Sequence, residues 1–353
     1  MAEKPNHSNG KDVQNYDPET GKYLPDDGGA ANLVDDALSA SPKGSSFSDD
    51  DWSLDDEDGD ETPEEPGKWL TQGVEKELNE FMEEARVDEQ QRPEVIKLLR
   101  SMDPSLGQAY AYVMMMPNAA GKRLSIDYAD GDDFAHSPYY NTIKMGRAQD
   151  GSFDVSNEGK HGMVAYESFF HELAHSVDGW LSEDPADRKS CVSYGLDREM
   201  KEDVEAMGGA EALKKRISDH VSGFLSERKA DLERIHDSGS ILGYAEAVTT
   251  EVEKAESSIY ALVDFVNILE KRSGWNMYAP TFVDPVSGGD PQRAMAYGHP
   301  YGYFTRRQGN YGLELFAEIC QAMATRPDVA KMYDELMPKT MRSIRERIRK
   351  VYE

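Results

Sequence analysis

The chain has 353 residues, enough for one large domain or two ordinary ones, and its 67 acidic against 39 basic side chains give a formal charge of −28. A chain this acidic, with no basic block, is a poor holder of nucleic acid phosphates, and no apolar run approaches the length needed to span a bilayer. Met1-Ala2-Glu3-Lys4-Pro5 lacks the apolar core of a secretory signal, which leaves the cytoplasm or delivery by a signal-independent route.

Charge is distributed unevenly. Residues 1–67 carry 19 acidic and 4 basic side chains, among them Asp49-Asp50-Asp51 and Asp55-Asp56-Glu57-Asp58, with few large apolar residues. Such a segment buries too little surface to offset its chain entropy, so it is expected to be a disordered acidic arm. A domain spanning 68–353 follows. Trp69, Leu70, Val74, Leu78 and Phe81 recur at helical spacing, and Val95, Ile96, Leu98 and Leu99 follow Pro93, which predicts helix across 69–101. The apolar run 110–116, ended by Pro117, is expected to be a strand. Leu124–Tyr128 and Tyr140–Met145 alternate and are expected to be strands as well. The strand ending near Met145 is expected to form the sheet edge beside the functional helix, where an extended peptide could add. That helix is placed at about 163–182. A long helical stretch covers about 197–272, ordered loop covers 274–310, and helices cover about 311–325 and 327–352 with a break at Pro338. The fold class is therefore α+β, a small sheet backed by helices.

The functional helix carries His171-Glu172-Leu173-Ala174-His175. Residues four apart share a helix face, so both imidazoles can address one metal ion, and the intervening Glu172 can reach a water beside it. The flanking Ser168, Phe169, Phe170, Ser176 and Val177 are uncharged, as suits a helix whose back packs into a core. The competing explanation is a core helix with two incidental histidines, but a buried glutamate between them would then lack a partner. A catalytic zinc takes three protein ligands and leaves one position open. No histidine follows in Ser176–Trp180, so a later carboxylate is needed. Glu314 and Glu318 lie four apart in Leu313-Glu314-Leu315-Phe316-Ala317-Glu318-Ile319, and two acids in so apolar a helix require a reason. Glu314 is assigned to the metal. Glu318 is assigned to a supporting role, accepting the free ring N–H of a ligating histidine. Asp178 either orients a ligand or caps the helix end. His299 lies in a Gly/Pro/Tyr-rich loop that should approach the site. Only Cys191 and Cys320 are present, too few for a disulfide framework or a cysteine zinc site.

Together, His171–Asp178 and Glu314-Leu315-Phe316-Ala317-Glu318 resemble the catalytic domain of anthrax lethal factor and its relatives, including the Pro-Pro endopeptidases. Pro338-Lys339-Thr340 ahead of a final basic helix is also similar. The likeness covers about 105–182 and 297–353. It implies a zincin-like fold and a zinc (Zn2+) endopeptidase acting on a protein or peptide. Glu172 would be the general base, and a tyrosine ahead of the ligand glutamate would stabilise the oxyanion. Two departures stand out. His175 and Glu314 are 139 positions apart, which makes 197–272 a large helical insertion. The family spacing also lands the tyrosine on Arg307. Tyr303 is the choice if 304–310 is a lengthened loop, with Tyr301 and Tyr311 as the other options. Two readings compete: a non-catalytic binding or structural protein on a zincin scaffold, such as a mobile-element or virion component, and the metallopeptidase type found in antirestriction proteins. The second should carry a basic module before the helix, whereas the first 67 residues are acidic. The substrate-binding residues and the oligomeric state are not legible.

Overall fold

Asp103 and Pro104 start a helix where the apolar run alone suggests a strand. In a computed structural model of the chain, the described residues are 67–353, apart from 130–134, 139, 149, 157–163, 185–187, 295–297 and 307–310. Before residue 67, only a short antiparallel pair is described, β1 (Tyr16–Asp17) with β2 (Lys22–Tyr23). The expected disorder of 1–67 therefore falls almost wholly outside the described residues. The chain divides into two units, Met1–Glu61 and Thr62–Glu353, and every element from residue 67 onward belongs to the second.

Helix α1 (Gln72–Glu84) is capped by Thr71, whose hydroxyl accepts from the Val74 N–H, and it buries Leu78 and Met82. Helix α2 (Arg92–Ser101) has Pro93 in its first turn. Helix α3 (Pro104–Met115) occupies the run expected to be a strand. The Asp103 carboxylate accepts from the Ser105 N–H at 3.0 Å, and Pro104 fills the first helical position. Leu106, Ala109, Tyr110, Ala111, Val113 and Met114 are buried, and the half-buried face of α3 carries Pro104, Gln108, Tyr112 and Met115. Tyr112 and Met115 on the half-buried face are as apolar as the buried residues, so the run 110–116 shows no 3.6-residue alternation and imitates a buried strand.

Next comes the sheet: β3 (Ser125–Tyr128), β4 (Ala135–Ser137), β5 (Thr142–Arg147) and β6 (Phe153–Asp154). Its order is β3-β5-β4, with β3 parallel and β4 antiparallel to β5, and β6 continuing along β5. The strand through Met145 is thus central, with Ile143 and Met145 buried, and is not the expected edge. The edge beside the functional helix is β4. This three-residue strand is too short to show a period-2 pattern.

Helix α4 (Glu167–Asp178) carries the His-Glu-x-x-His segment. It is followed by α5 (Leu196–Met207), α6 (Ala210–Glu227), α7 (Lys229–Asp237), α8 (Ile241–Ser257) and α9 (Tyr260–Leu269). A short ribbon, β7 (Thr281–Phe282) with β8 (Gln292–Arg293), precedes α10 (Tyr301–Arg306), α11 (Tyr311–Thr325), α12 (Pro327–Leu336) and α13 (Pro338–Arg349). The broadest helix contact is α4 against α11. There Phe169, Phe170, Leu173 and Ala174 bury with Leu315, Phe316, Ile319 and Ala322. The stretch expected to be an insertion joins this core: α9 packs on α11, and α5 packs on α11 and α13. The architecture is mixed α+β, with helices predominating. Among the described residues no helix is long and apolar enough to cross a membrane.

Candidate metal centre

Helix α4 begins abruptly. Tyr166 takes a left-handed conformation (φ 70°), its N–H donates to Ser156 O at 2.7 Å, and the Glu167 carboxylate turns back to accept from the Val164 N–H at 3.0 Å. One side of α4 is held inward by Phe169, Phe170, Leu173, Ala174 and Val177, and the Tyr110 hydroxyl of α3 donates to Phe170 O at 3.0 Å. The other side turns His171, Glu172 and His175 into a cleft of about 300 Å³. Helix α11 brings Glu314 to the same cleft. It can lie this close because residue 312 is glycine, where a Cβ would fall 2.4 Å from Ser193 O.

Glu314 divides its two oxygens. Oε2 lies 3.6 Å from His171 Nε2 and 3.8 Å from His175 Nε2. Oε1 accepts from the Tyr303 hydroxyl at 3.0 Å. The three donor atoms lie within 4.8 Å of one another. Ligands about 2.1 Å from a tetrahedral zinc stand roughly 3.4 Å apart. The observed separations are close to that edge length and longer than hydrogen bonds. The donor set can therefore hold a divalent metal ion, and two imidazoles with one carboxylate at these separations are compatible with zinc.

Burial and charge set the titration of the site. Burial alone would lower the His171 pKa, but Glu314 and Glu172 beside it raise it to about 9. Burial opposes charge on Glu314, yet His175 and His171 outweigh it and hold the carboxyl well below the usual carboxylate range. Burial, with the charge of Glu314 adding to it, pushes Glu172 up to about 7, against the opposing pull of His171. A carboxyl poised near neutrality is suited to taking and returning a proton.

The supporting contacts differ from expectation. Glu318 is expected to accept from a ligating histidine, but Gln321 holds that position, with its Oε1 3.2 Å from His171 Nδ1. Glu318 instead faces His299, Oε1 to Nδ1 at 3.5 Å, in a second cluster with Asp264. The cause is helix rotation. Gln321 lies seven positions past Glu314, two full turns, and returns to the α4 side, whereas Glu318 is turned toward α9. Asp178 is buried, and its Oδ1 accepts from the Ser193 N–H at 2.6 Å, which ties α4 to the turn beneath α11. Of the tyrosines considered, Tyr303 reaches Glu314. Tyr301 donates its backbone N–H to Arg272 O, and the side chain of Tyr311 lies outside the described residues.

Three further residues in or beside the site do not stand out in the sequence. His136 on β4 stacks over His175 with ring centroids 6.2 Å apart, and its backbone N–H serves the Glu172 carboxylate. Its Nε2 lies 3.5 Å from Asn141 Oδ1, and burial lowers its pKa to about 4, so the ring is neutral. Gln321 and Asp264 are the other two. A polar residue on an apolar helix face is the only available signal for either, and it names no partner. Comparison with family models, with curated proteins and with solved structures found no match.

Proposed function

We propose that this chain is a zinc-dependent endopeptidase of the lethal factor-like zincin kind. The observation that carries the reading is the convergence of His171 Nε2, His175 Nε2 and Glu314 Oε2 at ligand spacing, with buried Glu172 beside them and the Tyr303 hydroxyl within reach. Zinc held by these three residues would acidify a water and polarise the scissile carbonyl. Glu172, buried beside the ligands, would take the proton from the attacking water and deliver it to the leaving amine. Tyr303 donates its hydroxyl to the developing oxyanion. Gln321 fixes the proton of His171 on Nδ1, leaving Nε2 free to ligate. Among the described residues β4 is an edge strand that borders the cleft through Ala135 and His136, and an extended peptide adding there would compete with Glu172 for the His136 N–H.

The test is metal content by mass spectrometry for wild type, His171→Ala and Glu314→Gln, with each protein also assayed on a diverse peptide library. The expected result is about one zinc per wild-type chain, reduced in both variants, with cleavage by wild type alone. Zinc without cleavage would favour a non-catalytic scaffold, and absence of zinc from the wild type would end the proposal.

A further inference from the structure

Tyr303 stands on a six-residue helix, and its ring is held by a tether that starts on α9. Asp264 is fully buried there, and both its oxygens hold His299: Oδ1 accepts the backbone N–H at 2.7 Å and Oδ2 pairs with Nδ1 at 2.7 Å. Asn267, one turn along α9, donates to His299 O at 3.3 Å. Residue 298 must be glycine for this approach, because it lies at φ +90° and a Cβ would fall 2.3 Å from Asp264 Oδ1. The His299 ring lies flat against Tyr303, with centroids 4.1 Å apart and planes 19° from parallel, while Phe304 closes on it edge-on. The Tyr303 hydroxyl, at the far end of this stack, reaches Glu314 at 3.0 Å.

We propose that Asp264, acting through His299, is a positioning residue that holds the Tyr303 hydroxyl at the metal centre; this rests on the peptidase reading above. The helical stretch expected to be an insertion thereby contributes to the site itself. A metal held by Asp264, His299 and Glu318 is the rival reading of the same cluster, since their donor atoms also lie within 4.8 Å of one another. The 2.7 Å between Nδ1 and Oδ2 favours a direct hydrogen bond, being shorter than the roughly 3.4 Å between two ligands of one zinc.

The experiment compares the zinc-loaded wild type with Asp264→Asn, His299→Phe, Tyr303→Phe and the double variant Asp264→Asn/Tyr303→Phe. Three quantities are read: kcat and KM on a cleaved peptide, zinc per chain, and the tyrosine Cζ resonance that Tyr303→Phe removes from the carbon NMR spectrum. Asp264→Asn should lower kcat about 10- to 100-fold with KM and zinc content nearly unchanged, because a misplaced hydroxyl costs rate more than binding. The same change in the Tyr303→Phe background should cost less than about threefold, since groups that act through one another are not additive. The Tyr303 resonance should shift in Asp264→Asn. His299→Phe keeps a flat ring without the tether and should move the same resonance, which covers the case in which Asp264→Asn does not fold. Additive losses in the double variant, an unmoved resonance, or a second zinc lost with Asp264→Asn would each overturn the proposal. If no peptide is cleaved, the peptidase reading fails, and the resonance still decides whether Asp264 and His299 position Tyr303.

Discussion

Replacing Gln321 with leucine should weaken zinc binding while leaving the fold intact. Gln321 is 2% exposed between α4 and α11, and its Oε1 stands 3.2 Å from His171 Nδ1. A neutral hydrogen bond of this kind contributes about 1 kcal/mol net. Its loss also frees the imidazole to carry its proton on Nε2, the nitrogen that must ligate, which adds a few tenths of a kcal/mol or more. The sum, roughly 1.4 kcal/mol, corresponds to about a 10-fold loss of metal affinity, at the lower end of the range typical of outer-shell partners. Leucine has nearly the same volume, and Gln321 lies on a helix that is otherwise largely apolar. The metal-free protein should stay folded, with its melting temperature lowered by the loss of one buried hydrogen bond. Competition with a chromophoric zinc chelator measures the affinity, with thermal unfolding as the control. An affinity within about twofold of wild type, with the fold retained, would refute the role given to Gln321. Gln321→Glu should restore or exceed wild-type affinity, because a carboxylate accepts the same ring N–H more strongly.

Glu172→Gln should keep the zinc and lose about 100-fold or more in kcat, because the proton carrier is removed without touching a ligand; loss of zinc in that variant would move Glu172 among the ligands. Asp203→Ala on α5 should destabilise the chain by about 2–4 kcal/mol in urea unfolding, since its carboxylate accepts from the Lys339 N–H (3.2 Å), the Thr340 N–H (2.9 Å) and the Thr340 hydroxyl (2.7 Å) at the start of α13. A loss under about 1 kcal/mol would show that α13 starts without this cap. Glu256 is fully buried, neither carboxylate oxygen has a hydrogen-bond partner among the described residues, and burial, with Glu253 adding to it, pushes its pKa up to about 8. The folded state therefore binds more protons than the unfolded state, and stability should fall as pH rises from about 4.5 to about 8. Glu256→Gln should flatten that fall by on the order of 2 kcal/mol, and an unchanged pH profile would show that Glu256 finds a partner in solution.

Much of the α+β order is legible because it is written inside single elements. The apolar residues of α4 recur within twelve positions, and that spacing alone puts His171, Glu172 and His175 on one side. Glu314 announces itself as an acid in an apolar helix, and the break between α12 and α13 falls at Pro338 as its missing N–H dictates. Helix α3 reads as a strand because its half-buried face carries Tyr112 and Met115, so the run 110–116 is apolar on every side and shows no period. Edge strand β4 escapes notice because three residues cannot display alternation. What only the tertiary structure decided are the pairings between elements. Gln321 meets His171 from 150 positions away, and Asp264 meets His299 from 35. Such contacts depend on how α4, α9 and α11 are rotated about their axes when they pack, and a hydrophobic pattern fixes that rotation too coarsely to name a polar partner. The sequence by itself thus determined which residues face inward. Packing determined which of them face one another.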